Sequence, residues 1–172
     1  MKSGREITFA PFVAFLLLAV CASAAPVAPS TEYSKHFGAL SKLSVAVAEA
    51  MPSADYDFRP DPGSMSFGEL MSHIAMTNYA FCGSLKDSAA PSTPSPTDKA
   101  GIIKFLSSSF EYCSTVIPYL TEDQLSNVHS SPDGRLPGRE VLLAMYIHVA
   151  HHRGQAEIYL RDKGIKPPSY MI

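Results

Sequence analysis

Apolar residues return at three- and four-residue steps through four separate stretches of this chain, and proline-bearing segments lie between them. Such a rhythm lays one apolar stripe along a helix, and a stripe of that kind has to be covered by another element. Tyr33, Phe37, Leu40, Leu43, Val47 and Met51 mark the first stripe, which Pro52 stops. Ser66-Phe67-Gly68-Glu69 has the capping-box pattern and opens a second helix carrying Leu70, His73, Ile74, Thr77 and Phe81, fading near Lys86. Thr97 and Asp98 can cap a third, with Ile102, Phe105, Leu106, Phe110, Cys113, Val116 and Ile117 inward and Pro118 at its end. The fourth runs from about Gly138 to Lys163, where Gly164 suits a C′ position and Pro167-Pro168 forbid resumption.

The connections read as loops. Residues 53–64 contain two prolines and a glycine, with Tyr56 and Phe58 expected to pin them to the body of the domain. Residues 87–98 are rich in Pro, Ser and Thr and form a long connection; Thr121 to Leu125 start with a Thr-x-x-Gln cap; residues 128–137 form a turn-rich loop. Strand signals are almost absent. The expectation is an all-α domain over residues 31–168, a four-helix bundle with a long crossover between helices 2 and 3.

The N-terminus has a different character. Lys2 and Arg5 precede an apolar run from Phe9 to Cys21, and Ala22-Ser23-Ala24 follows as a small-x-small site. This is the three-part pattern of a secretory signal peptide, so residues 1–24 are expected to be removed, with an uncleaved N-terminal anchor as the alternative, and residues 25–30 to form a disordered leader. The run is too short for a comfortable membrane span, and no other segment is long and apolar enough, so no membrane attachment is expected after cleavage. The mature chain should be exported, periplasmic or secreted. A net charge of −2 gives no basic surface to attract nucleic acid.

The chemistry concentrates in His148-Val149-Ala150-His151-His152-Arg153-Gly154-Gln155. His148 and His152, four apart on one helix, project from one face and can share a divalent metal, and that face is also the inward stripe. His73 lies mid-helix on the inward side of the second helix. Three histidines from two packed helices make the protein half of an open metal site; three unrelated core histidines would each need a partner of their own. His151 lies about 100° around the helix from His152 and should miss the metal. His36 is expected to be exposed. Val149 stands where a zinc-protease HExxH motif has its glutamate, which disfavours peptidase activity, and no CxxCH is present for haem attachment.

Phe58-Arg59-Pro60, then Met65 to Ala75 around His73, then the His148–Gln155 stretch together resemble the DinB-like family, with the same element order over nearly all of residues 31–168. Members of that family are four-helix bundles, and many hold a divalent metal through one His of the second helix and an HxxxH pair of the fourth. Carried to this sequence, the ligands are His73, His148 and His152. Imidazole suits Zn²⁺, Ni²⁺ or another late divalent ion. Glu69, one turn before His73, could orient that ring or simply complete the cap with Ser66, and Gln155 could face the cavity. Arg153 is expected in an ion pair, Gly154 at a close helix approach, and Asn78 and Tyr79 at the mouth. Homodimers occur in the family, and an apolar outer strip on a helix would suit one.

Cys82 and Cys113 remain after signal removal. If the long crossover makes helices 2 and 3 parallel, both thiols sit at similar height and an exported protein could join them; two separate buried thiols are the alternative. The functional expectation is an exported metalloprotein acting on a small molecule as a hydrolase or transferase. Its alternative is a non-catalytic ligand- or partner-binding bundle with a structural metal or none. The thiol-dependent transferases of the family use cytosolic thiols, a role that export argues against.

Overall fold

The computed structural model describes residues 29–89 and 91–170. Four long helices make the body: α1 (Pro29–Ala50), α2 (Phe67–Leu85), α3 (Lys99–Ser114) and α5 (Gly138–Asp162). A short α4 (Glu122–Ser126) and a hairpin of β1 (Val128–Ser131) and β2 (Gly134–Pro137) precede α5. The signal-peptide and leader readings fall on residues 1–28, outside the described ones, apart from Pro29 and Ser30, which begin α1.

Side-chain hydroxyls and carboxylates start α2, α3 and α4 at the expected places. Ser66 Oγ accepts from the Glu69 backbone N–H at 3.2 Å, and the Glu69 carboxylate accepts from the Ser66 N–H at 2.8 Å. Asp98 caps α3 through the Gly101 N–H, and Thr121 and Gln124 form a second capping box on α4. These bonds satisfy backbone donors that the first helical turn leaves without partners.

The bundle is closed in the cyclic order α1, α3, α2, α5. Gly68 meets Ile102, Asn78 Nδ2 donates to Ser109 Oγ at 3.1 Å, and Cys82 is bonded to Cys113. Start matches start and end matches end, so α2 and α3 run parallel. The Lys86–Asp98 connection therefore has to travel back along the bundle. It can reach roughly 43 Å, against roughly 28 Å for the 19 residues of α2. Lys99 Nζ donates to the carbonyls of Glu49 and Met51, so α3 starts where α1 ends and the two are antiparallel. Tyr159 Oη donates to the Met65 carbonyl and Met145 touches Cys82, which makes α5 antiparallel to α2.

The core is continuous, with Phe37, Phe67, Phe81, Phe110, Leu70, Ile74, Leu106 and Leu160 all buried. Tyr56 and Phe58 do pin the first loop: Tyr56 Oη donates to the Ala48 carbonyl at 2.7 Å, and Phe58 meets Tyr159 edge-on.

The segment expected to be a loop at 128–137 is an antiparallel hairpin, with Val128 opposite Pro137 and Ser131 opposite Gly134. Four-residue strands with one buried side chain, His129, show too little alternation to be read as strands. Gly134 turns the hairpin at φ +105°. His129 anchors it: Nε2 lies 2.6 Å from the Gln124 carbonyl, and Nδ1 lies 3.1 Å from the Ser84 carbonyl and 3.0 Å from Asp87 Oδ1. Gly138 allows α5 to begin against α4, because a Cβ there would stand 2.1 Å from the Gln124 carbonyl oxygen.

Candidate metal centre

Because α2 and α5 are neighbours running in opposite directions, the middle of α2 faces the middle of α5. His73 comes from α2, and His148 and His152 come from successive turns of α5. Their ring centroids are 4.9 Å apart for His73–His148, 4.6 Å for His73–His152 and 4.4 Å for His148–His152. His73 Nε2 and His148 Nε2 are 3.0 Å apart. One donor atom from each ring lies within 4.8 Å of the others. Two nitrogens on one tetrahedral Zn²⁺ with bonds of about 2.1 Å are about 3.4 Å apart, so a closure of about 1.4 Å at most between half-buried rings brings the set onto one ion. No Asp, Glu or Cys joins this group among the described residues.

The surroundings hold the rings neutral. Burial, then the neighbouring His152, His73 and His151, push the His148 pKa down to about 4. Burial also lowers His73 and His152, with His152 adding to the effect at His73. A neutral imidazole offers a lone pair without first losing a proton. Phe81 closes the inner side, its ring edge-on to His148 at 5.9 Å.

Gln155 meets the histidines directly. Its Oε1 accepts from His152 Nδ1 at 2.8 Å, which puts that ring's proton on Nδ1 and leaves Nε2 bare, the arrangement that partners of metal-binding histidines impose. Its Nε2 donates to His151 Nε2 at 3.1 Å. His151 is exposed beside His152, and His36 is exposed on α1.

Other expected positions fall elsewhere. Glu69 is not engaged with His73: its carboxylate takes the Ser66 N–H and two contacts from Arg59, at 2.9 and 2.7 Å. The Arg59 hydrogen bond, followed by the Ser66 N–H, holds its pKa down to about 2. Asn78 is fully buried against Ser109 on the α3 side, and Tyr79 stacks on Phe105, so neither lines a mouth at the histidines. Arg153 pairs with Glu157 at 3.2 Å. Gly154, expected at a close helix approach, has open space where a Cβ would go. Cys82 and Cys113, both fully buried, are joined, with Cα atoms 5.5 Å apart.

Two features of the site escaped sequence reasoning. Thr77, one turn after His73, places Oγ1 3.2 Å from His148 Nδ1; its four-residue offset from His73 was the available signal. A groove of about 600 Å³ also runs beside His73, walled by Met76, Ile102, Phe105 and Pro94–Thr97, with Arg59 and Glu69 at its rim. Its walls come from distant segments and carry no local pattern.

Residues 37–156 match the profile of the DinB superfamily. The chain belongs to that superfamily. An uncharacterised Bacillus subtilis protein, YjoA, is 26% identical over 140 residues, covering 78% of this chain and 91% of YjoA. The crystal structure of YjoA, a DinB-like protein, superposes with a TM-score of 0.71 at 25% identity, covering 81% of this chain and 98% of its own. A DinB-like protein from Bacillus cereus shares the fold with a TM-score of 0.70 at 15% identity, over 82% of this chain and 97% of that one.

Proposed function

We propose that this DinB-superfamily chain is an exported metalloprotein. His73, His148 and His152 hold one divalent cation, which serves a small molecule entering along the groove beside His73. The observation that carries the reading is the convergence of three neutral imidazole donors, from two helices, to within 4.8 Å. Packing alone gives a helix interface no reason to gather three half-buried polar rings, since polar groups taken out of water cost free energy unless each is satisfied. Imidazole sets suit Zn²⁺ or Ni²⁺, and three protein ligands leave room for a further one, as catalytic sites do.

When bound, the cation supplies Lewis acidity, polarising a ligand that reaches it. The chain's own residues do the rest. Gln155 orients His152. Met76, Ile102 and Phe105 offer an apolar wall to a substrate, and the Arg59–Glu69 pair offers a polar rim. These features favour a metal-dependent hydrolase or transferase over a purely structural site. Export is supported by the signal-like pattern of residues 1–24 and by the Cys82–Cys113 bond, which suits an oxidising compartment.

The test is calorimetric titration of chelator-treated protein with Zn²⁺. One equivalent should bind the wild type and none the His73→Ala/His148→Ala double variant. Equal binding by both would overturn the assignment. Loading Co²⁺ and adding a small thiol should then change the visible spectrum if a coordination position is open; an unchanged spectrum would overturn the catalytic reading.

A further inference from the structure

Thr77 stands between the two metal-bearing helices in a way that its place on α2 alone does not require. Its Oγ1 lies 2.9 Å from the His73 carbonyl and 3.1 Å from the Ile74 carbonyl, the back-bonding pattern of a hydroxyl inside a helix. It also lies 3.2 Å from His148 Nδ1 on α5. A threonine hydroxyl has one hydrogen and two lone pairs. The carbonyls can only accept, and they are the two nearer partners. The single hydrogen is therefore committed to α2, and the oxygen is left to accept from across the interface.

We infer that Thr77 is a positioning residue that fixes the tautomer of His148. The ring donates Nδ1–H to Thr77 and so presents an unprotonated Nε2 to the cluster. This rests on the proposed metal site and deepens it. A neutral imidazole carries one N–H, so the bond at Nδ1 decides what Nε2 can do. Nε2 is the atom that faces His73, 3.0 Å from its Nε2. Gln155 imposes the same tautomer on His152. Thr77 and Gln155 thus aim both α5 lone pairs by the same chemical device, one from the opposite helix and one from the same helix. Because Thr77 is bonded to the carbonyl of His73 itself, the backbone turn that carries one ligand also sets the ring of the second.

The experiment uses protein labelled with ¹⁵N-histidine, freed of metal with a chelator and studied near neutral pH. Nitrogen shifts should show His148 as the Nδ1–H tautomer in the wild type and in Thr77→Ser, which keeps the hydroxyl. In Thr77→Val, equal in shape but without the acceptor, His148 should shift to a mixture or to Nε2–H. Zn²⁺ affinity, read by competition with a chromophoric chelator, should fall about 10- to 100-fold in Thr77→Val and stay within about threefold of wild type in Thr77→Ser. A wild-type His148 protonated at Nε2 overturns the inference, whatever the metal does. So does an unchanged tautomer and affinity in a folded Thr77→Val. Wild-type protein with Nδ1–H at His148 but no Zn²⁺ binding would instead overturn the metal reading, and with it the purpose assigned to Thr77, while leaving the hydrogen bond standing.

Discussion

Opening the Cys82–Cys113 bond should cost this domain a large share of its stability. The bond joins residues 31 apart in sequence and holds the parallel ends of α2 and α3 together. In the chain-entropy account, a closed loop of that length lowers the entropy of the unfolded chain by about 12 cal/mol/K, worth about 3.7 kcal/mol at 25 °C. Net stabilities of single domains are about 5–15 kcal/mol. Both sulfurs are fully buried, so reductant will reach them slowly in the native state. The clean comparison is therefore urea unfolding of oxidised wild type against wild type reduced in denaturant and refolded with reductant present. No atoms are removed, so no cavity adds to the difference. With an m-value of about 2 kcal/mol/M, the midpoint should fall by about 2 M. The Cys82→Ala/Cys113→Ala variant should lose somewhat more, because it also leaves space in the core. A loss below about 1 kcal/mol on reduction, or two titratable thiols in protein recovered from an oxidising compartment, would refute the reasoning.

Other outcomes can be checked with similar means. The three site histidines have pKa values lowered in the fold, His148 to about 4, so the folded protein binds fewer protons than the unfolded chain below the ordinary histidine pKa. Their neutral forms are fully favoured above about pH 6.5, and metal-free protein should lose melting temperature as pH falls from there toward about 4; a melting temperature that rises on acidification would contradict this. His129→Leu keeps the volume but deprives the Gln124 carbonyl of its 2.6 Å partner, and should cost about 2 kcal/mol in urea unfolding; a neutral variant would remove its anchoring role. Gly138→Ala pushes a Cβ into the Gln124 carbonyl and should cost about 1–3 kcal/mol, read as a lowered melting temperature.

The bundle was legible because its signals are local and repeated. The stripe of Phe37, Leu43 and Val47, the Ser66–Glu69 box and the Asp98 cap each speak for a helix without reference to the rest of the chain. The histidine cluster was legible for a related reason: a four-residue spacing on α5 and an inward His73 on α2 need only the two helices to be neighbours. What stayed hidden depends on tertiary placement. Glu69 has the right spacing to reach His73, yet Arg59, ten residues upstream, holds its carboxylate. Asn78 and Tyr79 follow His73 closely in sequence but point toward α3. The hairpin at 128–137 is too short to display a period, and its anchor, His129, takes its partners from α2, its C-terminal edge and α4.

Whether the histidine cluster holds a cation is settled most directly by elemental analysis of the protein purified without a His tag. About one equivalent of a late divalent metal is predicted for the wild type, with almost none in His73→Ala/His148→Ala of unchanged helical content. The same trace level in both proteins, or the same full equivalent in both, would contradict the account.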